Sequence, residues 1–256
     1  MNPNESVANT GAGQFRTTHW SVVLLSAQSE LPGSQSALAD LCRLYWYPLY
    51  AFVRRRGYSA EDAQDLTQGF FLDLLERKSF KKADRERGRF RTFLLVSLQN
   101  YLVSAFERAN RIKRGGQIEF VALDLEAGEE RYLGEPAGTL TAESVFDARW
   151  AMTLLAHARK RLRDEYISQG KLAIVDMLRP FLDPVNSQRL PSYEEIVTEL
   201  QVSLAGARTL VHRLKKRYSE ILREEVARTV SDPEAVDEEI HALCEALIVS
   251  EGLLGS

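Results

Sequence analysis

Apolar residues recur at three- and four-residue spacing along most of this chain, and the pattern predicts a succession of amphipathic helices with no strand alternation. The segment Ser36 to Arg56 places Leu38, Leu41, Tyr45, Leu49 and Phe52 on one face, with Pro48 expected to kink or interrupt it. Ser59 follows as an N-cap, with Glu61 and Asp62 in the first turn, where the helix dipole favours acids. That helix carries Ala63, Leu66, Phe70 and Leu74 inward. A third helix has an apolar and aromatic middle, Phe93 to Phe106. Beyond it, Trp150, Leu154, Leu155, Ala158 and Leu162 have helical spacing, and a shorter helix runs from Lys171 to Leu182.

The most informative stretch is Ser192 to Tyr218. Ser192 as N-cap with Glu195 at N3 is a capping-box signature, so a short helix begins there and buries Ile196 and Leu200. Ser203 offers a second N-cap, after which Leu204, Ala207, Val211 and Leu214 form one apolar stripe. Two short-linked helices of this kind are a helix-turn-helix. Gln201 falls at the turn position that takes positive φ and often carries Gly, at a cost on the order of 1 kcal/mol for a residue with a Cβ. On the polar face of the second helix lie Arg208, Thr209, His212, Arg213, Lys215 and Lys216, as a helix entering a major groove requires. From Ser203 to Arg223 there are six Lys or Arg against one acid, which attracts phosphates.

Charge then divides the chain. The 256 residues carry 33 Lys or Arg and 36 Asp or Glu, net −3, which excludes a uniformly basic nucleic-acid coat and leaves local clusters as the only DNA contacts. Lys78 to Gly116 holds eleven basic residues against three acids, concentrated at the two ends of the third helix. Its Phe90, Phe93, Tyr101 and Phe106 are the residue type that stacks on unpaired bases, although core packing accounts for most of such aromatics. Glu119 to Asp147 reverses the sign, with eight acids against Arg131, and its Gly and Pro content reads as an extended linker. The tail after Glu224 is acidic too; Asp232 caps and Pro233 opens a last helix bearing Val236, Ile240, Leu243 and Leu247, expected to pack on the second domain.

The fold class expected is all-α, with two small helical domains joined by an acidic linker. The boundaries are a disordered tail at 1–18, a first domain at 19–114, the linker at 115–145, a helix-turn-helix domain at 146–228 and an acidic helix at 229–256. The N-terminus lacks the basic start and apolar run of a signal peptide, no stretch approaches 18 apolar residues, and a cytoplasmic protein is expected. Cys42 and Cys244 lie in no paired motif, so reduced thiols are expected. The four His show no metal-ligand spacing, and neither a metal nor a cofactor is expected. No nucleophile–base set or phosphate-cradling Gly loop is present, so an enzyme is not expected.

Asp62 to Phe71 (DAQDLTQGFF) resembles the DAEDLxQExF segment of bacterial sigma-70 type factors. Residues 90–114, FRTFLLVSLQNYLVSAFERANRIKR, resemble the promoter-melting segment that follows it in that family. The SYEEI helix and GARTLVHRLKKRY resemble its domain 4, in the short extracytoplasmic-function (ECF) class. Order and spacing agree over roughly residues 36 to 228. The resemblance implies a sigma factor that binds core RNA polymerase and directs promoter recognition, DNA melting and transcription initiation. It places core docking on Asp62, Asp65 and Gln68, with Gly69 where the family usually has Glu. It places the melted minus-ten strand on Asn100, Arg108, Asn110, Arg111, Lys113 and Arg114. It places the minus-thirty-five duplex on Arg208, Thr209, His212, Arg213, Lys215 and Lys216. Promoter DNA, duplex and melted, and core polymerase are then the partners, with an anti-sigma factor as a candidate further one. The alternative is a stand-alone helix-turn-helix transcriptional regulator, which has no use for the acidic face or the aromatic tract. In the free protein the acidic linker or tail is expected to shield the basic surfaces.

Overall fold

The computed structural model describes residues 34–76, 89–109, 125–133, 140–182 and 190–252, and every regular element among them is helical. In chain order these are α1 (Ser34–Arg55), α2 (Ala60–Glu76), α3 (Phe90–Ala109), α4 (Leu125–Leu133), α5 (Ala142–Ser168), α6 (Leu172–Leu178), α7 (Tyr193–Leu200), α8 (Leu204–Ala227) and α9 (Val236–Gly252), with 3-10 turns at Arg179–Leu182 and Pro233–Ala235. The N-terminal tail, the segment His19 to Leu25 and the basic residues from Lys78 to Arg87 lie outside the described residues.

Helix α1 is the hub of the first half. Its expected inner face, Leu41, Tyr45, Leu49 and Phe52, is buried, but so are Trp46, Tyr50 and Val53 on other sides. Three neighbours explain this: α2, α4 and α5 all pack on it. Pro48 sits inside the helix without interrupting it. Tyr45 stacks on Trp150 of α5 with ring centroids 4.1 Å apart, and meets Phe90 of α3 edge-on at 5.3 Å. In α2 the predicted core positions Ala63, Phe70 and Leu74 are buried, and Leu66 is packed against the same cluster.

The acidic stretch differs from the extended linker its composition suggests, because residues 125–133 form α4 and dock on α1. Gly128 makes the approach possible: an ideal Cβ there would stand 2.5 Å from Cη2 of Trp46. Glu129 then accepts hydrogen bonds from Arg54 Nε and Nη2 at 3.0 and 2.8 Å and from the Tyr50 hydroxyl. The Arg54 guanidinium also covers the Tyr132 ring at 4.7 Å. The Arg54 hydrogen bonds hold the Glu129 carboxyl below its ordinary pKa despite some desolvation.

Two apolar clusters result, and two helices contribute to both. The first joins α1, α2 and α3 to Phe146, Trp150 and Leu154 of α5, Val226 of α8, and Val236 and Leu243 of α9. The second joins Ala158 and Leu162 of α5 to Val175 and Leu178 of α6, Ile196 of α7, and Ala207, Val211, Leu214 and Ile221 of α8. At 1.5 Å per residue α5 is about 40 Å long, enough to run from one cluster into the other.

The acidic tail helix is tied to the first cluster, not only to the helix-turn-helix side. Asp232 Oδ1 caps the turn by accepting from Glu234 N at 2.9 Å, and α9 packs on α5 and α8. Its Glu239, fully buried, receives Arg91 Nε at 2.6 Å and Arg89 Nε at 2.9 Å from the start of α3. Arg91 is itself 7% exposed and also donates to Asp147 of α5. Beside these pairs, Phe90 N donates to Thr229 O at 2.9 Å, and Arg89 and Val230 form an isolated antiparallel bridge. A buried charge of this kind persists only when paired and hydrogen-bonded, as both are here.

Both cysteines are free thiols; Cys42 is buried, which pushes its pKa up to about 12, and Cys244 is exposed. Among the described residues no helix is long and apolar enough to cross a membrane.

Candidate nucleic-acid interface

The helix-turn-helix is built as local sequence dictates. Ser192 Oγ accepts from Glu195 N at 3.1 Å while Glu195 Oε2 accepts from Ser192 N at 2.8 Å, so both arms of the capping box form. Helix α7 ends at Gln201, whose φ of 51° and ψ of 45° are left-handed, the only positive φ outside glycine among the described residues. Ser203 Oγ then accepts from Gly206 N at 3.1 Å and starts α8. Ile196, Ala207, Val211 and Leu214 close the pair from inside.

The opposite face of α8 is open. Arg208, Thr209, His212, Arg213, Lys215 and Lys216 are all exposed, over about two and a half turns. Arg208 leans over the Tyr193 ring at 5.9 Å and Lys215 over Phe181 at 5.6 Å, contacts that orient these cations without neutralising them. The Thr209 hydroxyl donates to Ala205 O at 2.9 Å within its own helix.

Two of the six basic residues along this helix are turned away from the face. Arg217 holds Glu165 of α5 at 2.9 and 2.8 Å and reaches Glu220 at 3.2 Å, which raises its pKa. Arg223 is paired with Asp237 of α9, Nη2 to Oδ2 at 2.7 Å. Further along, Glu225 is 2% exposed: burial pushes its carboxyl up, but His157, Arg161 and Arg228 outweigh burial and bring it to about 2. The positive surface offered to a ligand is therefore smaller than the local composition implies, and it is confined to the first half of α8.

On α3 the described part of the expected minus-ten set is Asn100, which is exposed. Arg108 lies in the last turn of the helix, and Asn110, Arg111, Lys113 and Arg114 fall outside the described residues. The four aromatics separate by burial. Phe90 is fully buried, Phe93 and Tyr101 are half-buried, and Phe106 is 66% exposed. Val96 and Val103 of the same helix are also exposed. Sequence reasoning weighted all four aromatics toward the core, and only tertiary packing singles out Phe106.

The acidic face of α2 has Asp62 and Asp65 exposed and Gln68 half-buried. Asp62 shares in the cap: its amide donates to Ser59 Oγ at 3.0 Å, and Ser59 Oγ donates to its carboxylate at 2.7 Å. Asp65 is one turn further along the helix.

Among the described residues no group of three or more His, Cys, Asp or Glu is placed to hold a metal ion. A cleft of about 630 Å³ between α6 and α7 is lined by residues that include four acids, Asp176, Glu194, Glu195 and Glu199. It is open and acidic and carries no nucleophile–base pair. Compared with protein-family models, with curated proteins and with solved structures, the chain matched none.

Proposed function

We propose that the chain is a sigma factor of the extracytoplasmic-function type, a non-catalytic subunit that brings core RNA polymerase to promoters and takes part in melting them. The observation that carries the reading is the cationic face of α8, six exposed polar or basic side chains on a doubly capped helix-turn-helix. In this reading Arg208, His212, Arg213, Lys215 and Lys216 contact the minus-thirty-five duplex, phosphate contacts setting register and a few side chains reading base edges. Asn100 and Phe106 of α3 receive the melted minus-ten strand together with Arg108, Asn110, Arg111, Lys113 and Arg114, an exposed aromatic and an exposed amide on one helix being suited to stack on and read unpaired bases. Asp62, Asp65 and Gln68 dock on the polymerase. The two halves act as the two DNA-reading domains, and an anti-sigma factor is a further candidate partner.

A second reading, a self-sufficient helix-turn-helix regulator, is favoured by one observation. Helix α5 runs unbroken through both apolar clusters, as it would in a protein that works as one body. The deciding experiment is promoter-fragment binding and run-off transcription with and without bacterial core polymerase, alongside an Asp65→Arg variant. Specific binding and transcripts that need core, both abolished in the variant, support the sigma reading. Tight specific binding by the protein alone, with core adding nothing, selects the regulator.

A further inference from the structure

We propose that Tyr193 and Phe181 are positioning residues for duplex recognition, holding Arg208 and Lys215 along one edge of the α8 face before any DNA arrives. The inference rests on the reading of that face as a duplex contact, which the sigma and regulator readings share. Arg208 and Lys215 are seven residues apart, so they stand nearly in line, about two turns from each other. From that edge His212, Lys216, Thr209 and Arg213 follow in turn around the exposed arc. Each edge cation has its own ring. Arg208 Cζ is 5.9 Å from the Tyr193 centroid, and Lys215 Nζ is 5.6 Å from that of Phe181. The two rings also meet each other, with centroids 6.4 Å apart and planes tilted by 33°. One aromatic patch therefore serves both cations.

Neither ring comes from α8. Tyr193 is the first residue of α7, directly after the Ser192 cap, and Phe181 belongs to the 3-10 turn Arg179–Leu182, whose Leu182 is buried in the second cluster. Both rings are half-buried and packed against that cluster, which fixes where they stand. A ring is a different partner from a carboxylate. Arg217 and Arg223 are neutralised by Glu165 and Asp237, whereas a ring face attracts a cation and leaves its whole charge to a ligand. Arg and Lys side chains carry much rotamer freedom, and restricting it in the free protein lowers the ordering cost of binding. That advantage belongs to a complex that demands one geometry. On an arbitrary duplex the charges need only lie near phosphates, and the advantage is small. The rings therefore act on specificity and not on the number of phosphates neutralised.

The test titrates the full chain, with core polymerase in every arm if the original protein needs it, against two probes. One is the duplex that the original protein enriches most from a random-sequence pool; the other is an unselected random-sequence duplex of the same length. Tyr193→Leu and Phe181→Leu are each expected to weaken binding of the enriched duplex about two- to fivefold, the strength of an exposed cation–ring contact. Both should leave the random duplex, and the slope of log affinity against log salt, unchanged. Tyr193→Phe keeps the ring face and is expected to restore the affinity. In an Arg208→Ala background Tyr193→Leu is expected to have no further effect, and likewise Phe181→Leu in Lys215→Ala. That coupling is what a general loss of packing would not produce. Leu variants that bind as the original does, or that lose as much affinity without the cation as with it, overturn the positioning role and leave the duplex reading intact. If no duplex is enriched, or if Arg208→Ala and Lys215→Ala leave both probes bound as before, the duplex reading itself fails and the positioning role falls with it.

Discussion

The hydroxyl of Tyr101 occupies the place where a side chain on residue 69 would begin. An ideal Cβ built on Gly69 would lie 2.4 Å from Tyr101 Oη and 3.4 Å from its Cζ. Helices α2 and α3 meet at this point, with Phe70 edge-on to Tyr101 at 5.9 Å. The Gly at a position where the resembling family usually carries Glu thus has a packing cause. Gly69→Ala is expected to destabilise the protein by about 1–3 kcal/mol through overpacking. In a Tyr101→Phe background the same change is expected to be neutral or to gain up to about 1 kcal/mol, the usual helix preference for Ala over Gly. Urea unfolding of the four proteins measures the coupling; additive effects would show that the hydroxyl is not the obstacle.

Gln201 is held at φ 51° with an exposed side chain, so its strain is not offset by packing. Gln201→Gly is expected to raise stability by up to about 1 kcal/mol by relieving the left-handed penalty. The urea midpoint should rise at unchanged slope. A lower midpoint would mean that the side chain contributes something its exposure does not suggest.

Glu225 links pH to stability. Its folded pKa of about 2 lies below the ordinary 4.5, so the folded protein stays ionised where the unfolded chain takes up a proton. The contribution is complete above about pH 4.5 and is lost as pH falls toward 2; its size is on the order of 3 kcal/mol. Glu225→Gln is expected to remove one proton's worth of slope from stability against pH in that acid window. An unchanged slope would place the acid sensitivity elsewhere, for instance on Glu165 or Glu129, whose carboxyls are also lowered by arginine contacts.

Arginines on one helix are expected to divide by role. Arg208→Ala or Lys216→Ala should leave stability near unchanged and reduce the slope of log affinity against log salt by about 1 for each phosphate no longer neutralised. Arg217→Ala should do the reverse, costing about 1 kcal/mol of stability by releasing Glu165 while leaving the salt slope as it was. Titrations of a promoter duplex at several salt concentrations, beside thermal melts, separate the two behaviours. A salt-slope change in Arg217→Ala would show that its pairing to α5 opens on DNA.

Residues separated by a few positions were legible, and residues separated by many were not. The capping box Ser192–Glu195, the Ser203 cap, the Asp232 cap and the positive φ at Gln201 all follow from groups within three residues of one another. Most of the stripes of α2, α7 and α8 follow from spacing alone, as helical periodicity is a property of the chain itself, but Leu204 at the start of the α8 stripe is 42% exposed and Leu200 of α7 is only half-buried. The acidic stretch misled because charge sign says nothing of what a carboxylate meets: Glu129 meets Arg54, seventy-five residues away, and Gly128 meets Trp46.

The sequence by itself determined most of the helices, α4 excepted, the caps that start α7 and α8, and which face of α8 is polar, since hydrogen bonds and apolar periodicity within one or two turns decide those. Only the tertiary structure decided which charges remain available. Arg91, Arg217 and Arg223 look like Arg208 in composition, yet each is taken up by a carboxylate on another helix. It also decided that Phe106 stands in solvent while Phe90 is in the core, and that α9 joins α3 to α8. Those outcomes depend on packing between distant segments, whose energies are set by burial and pairing and not by neighbours in the chain.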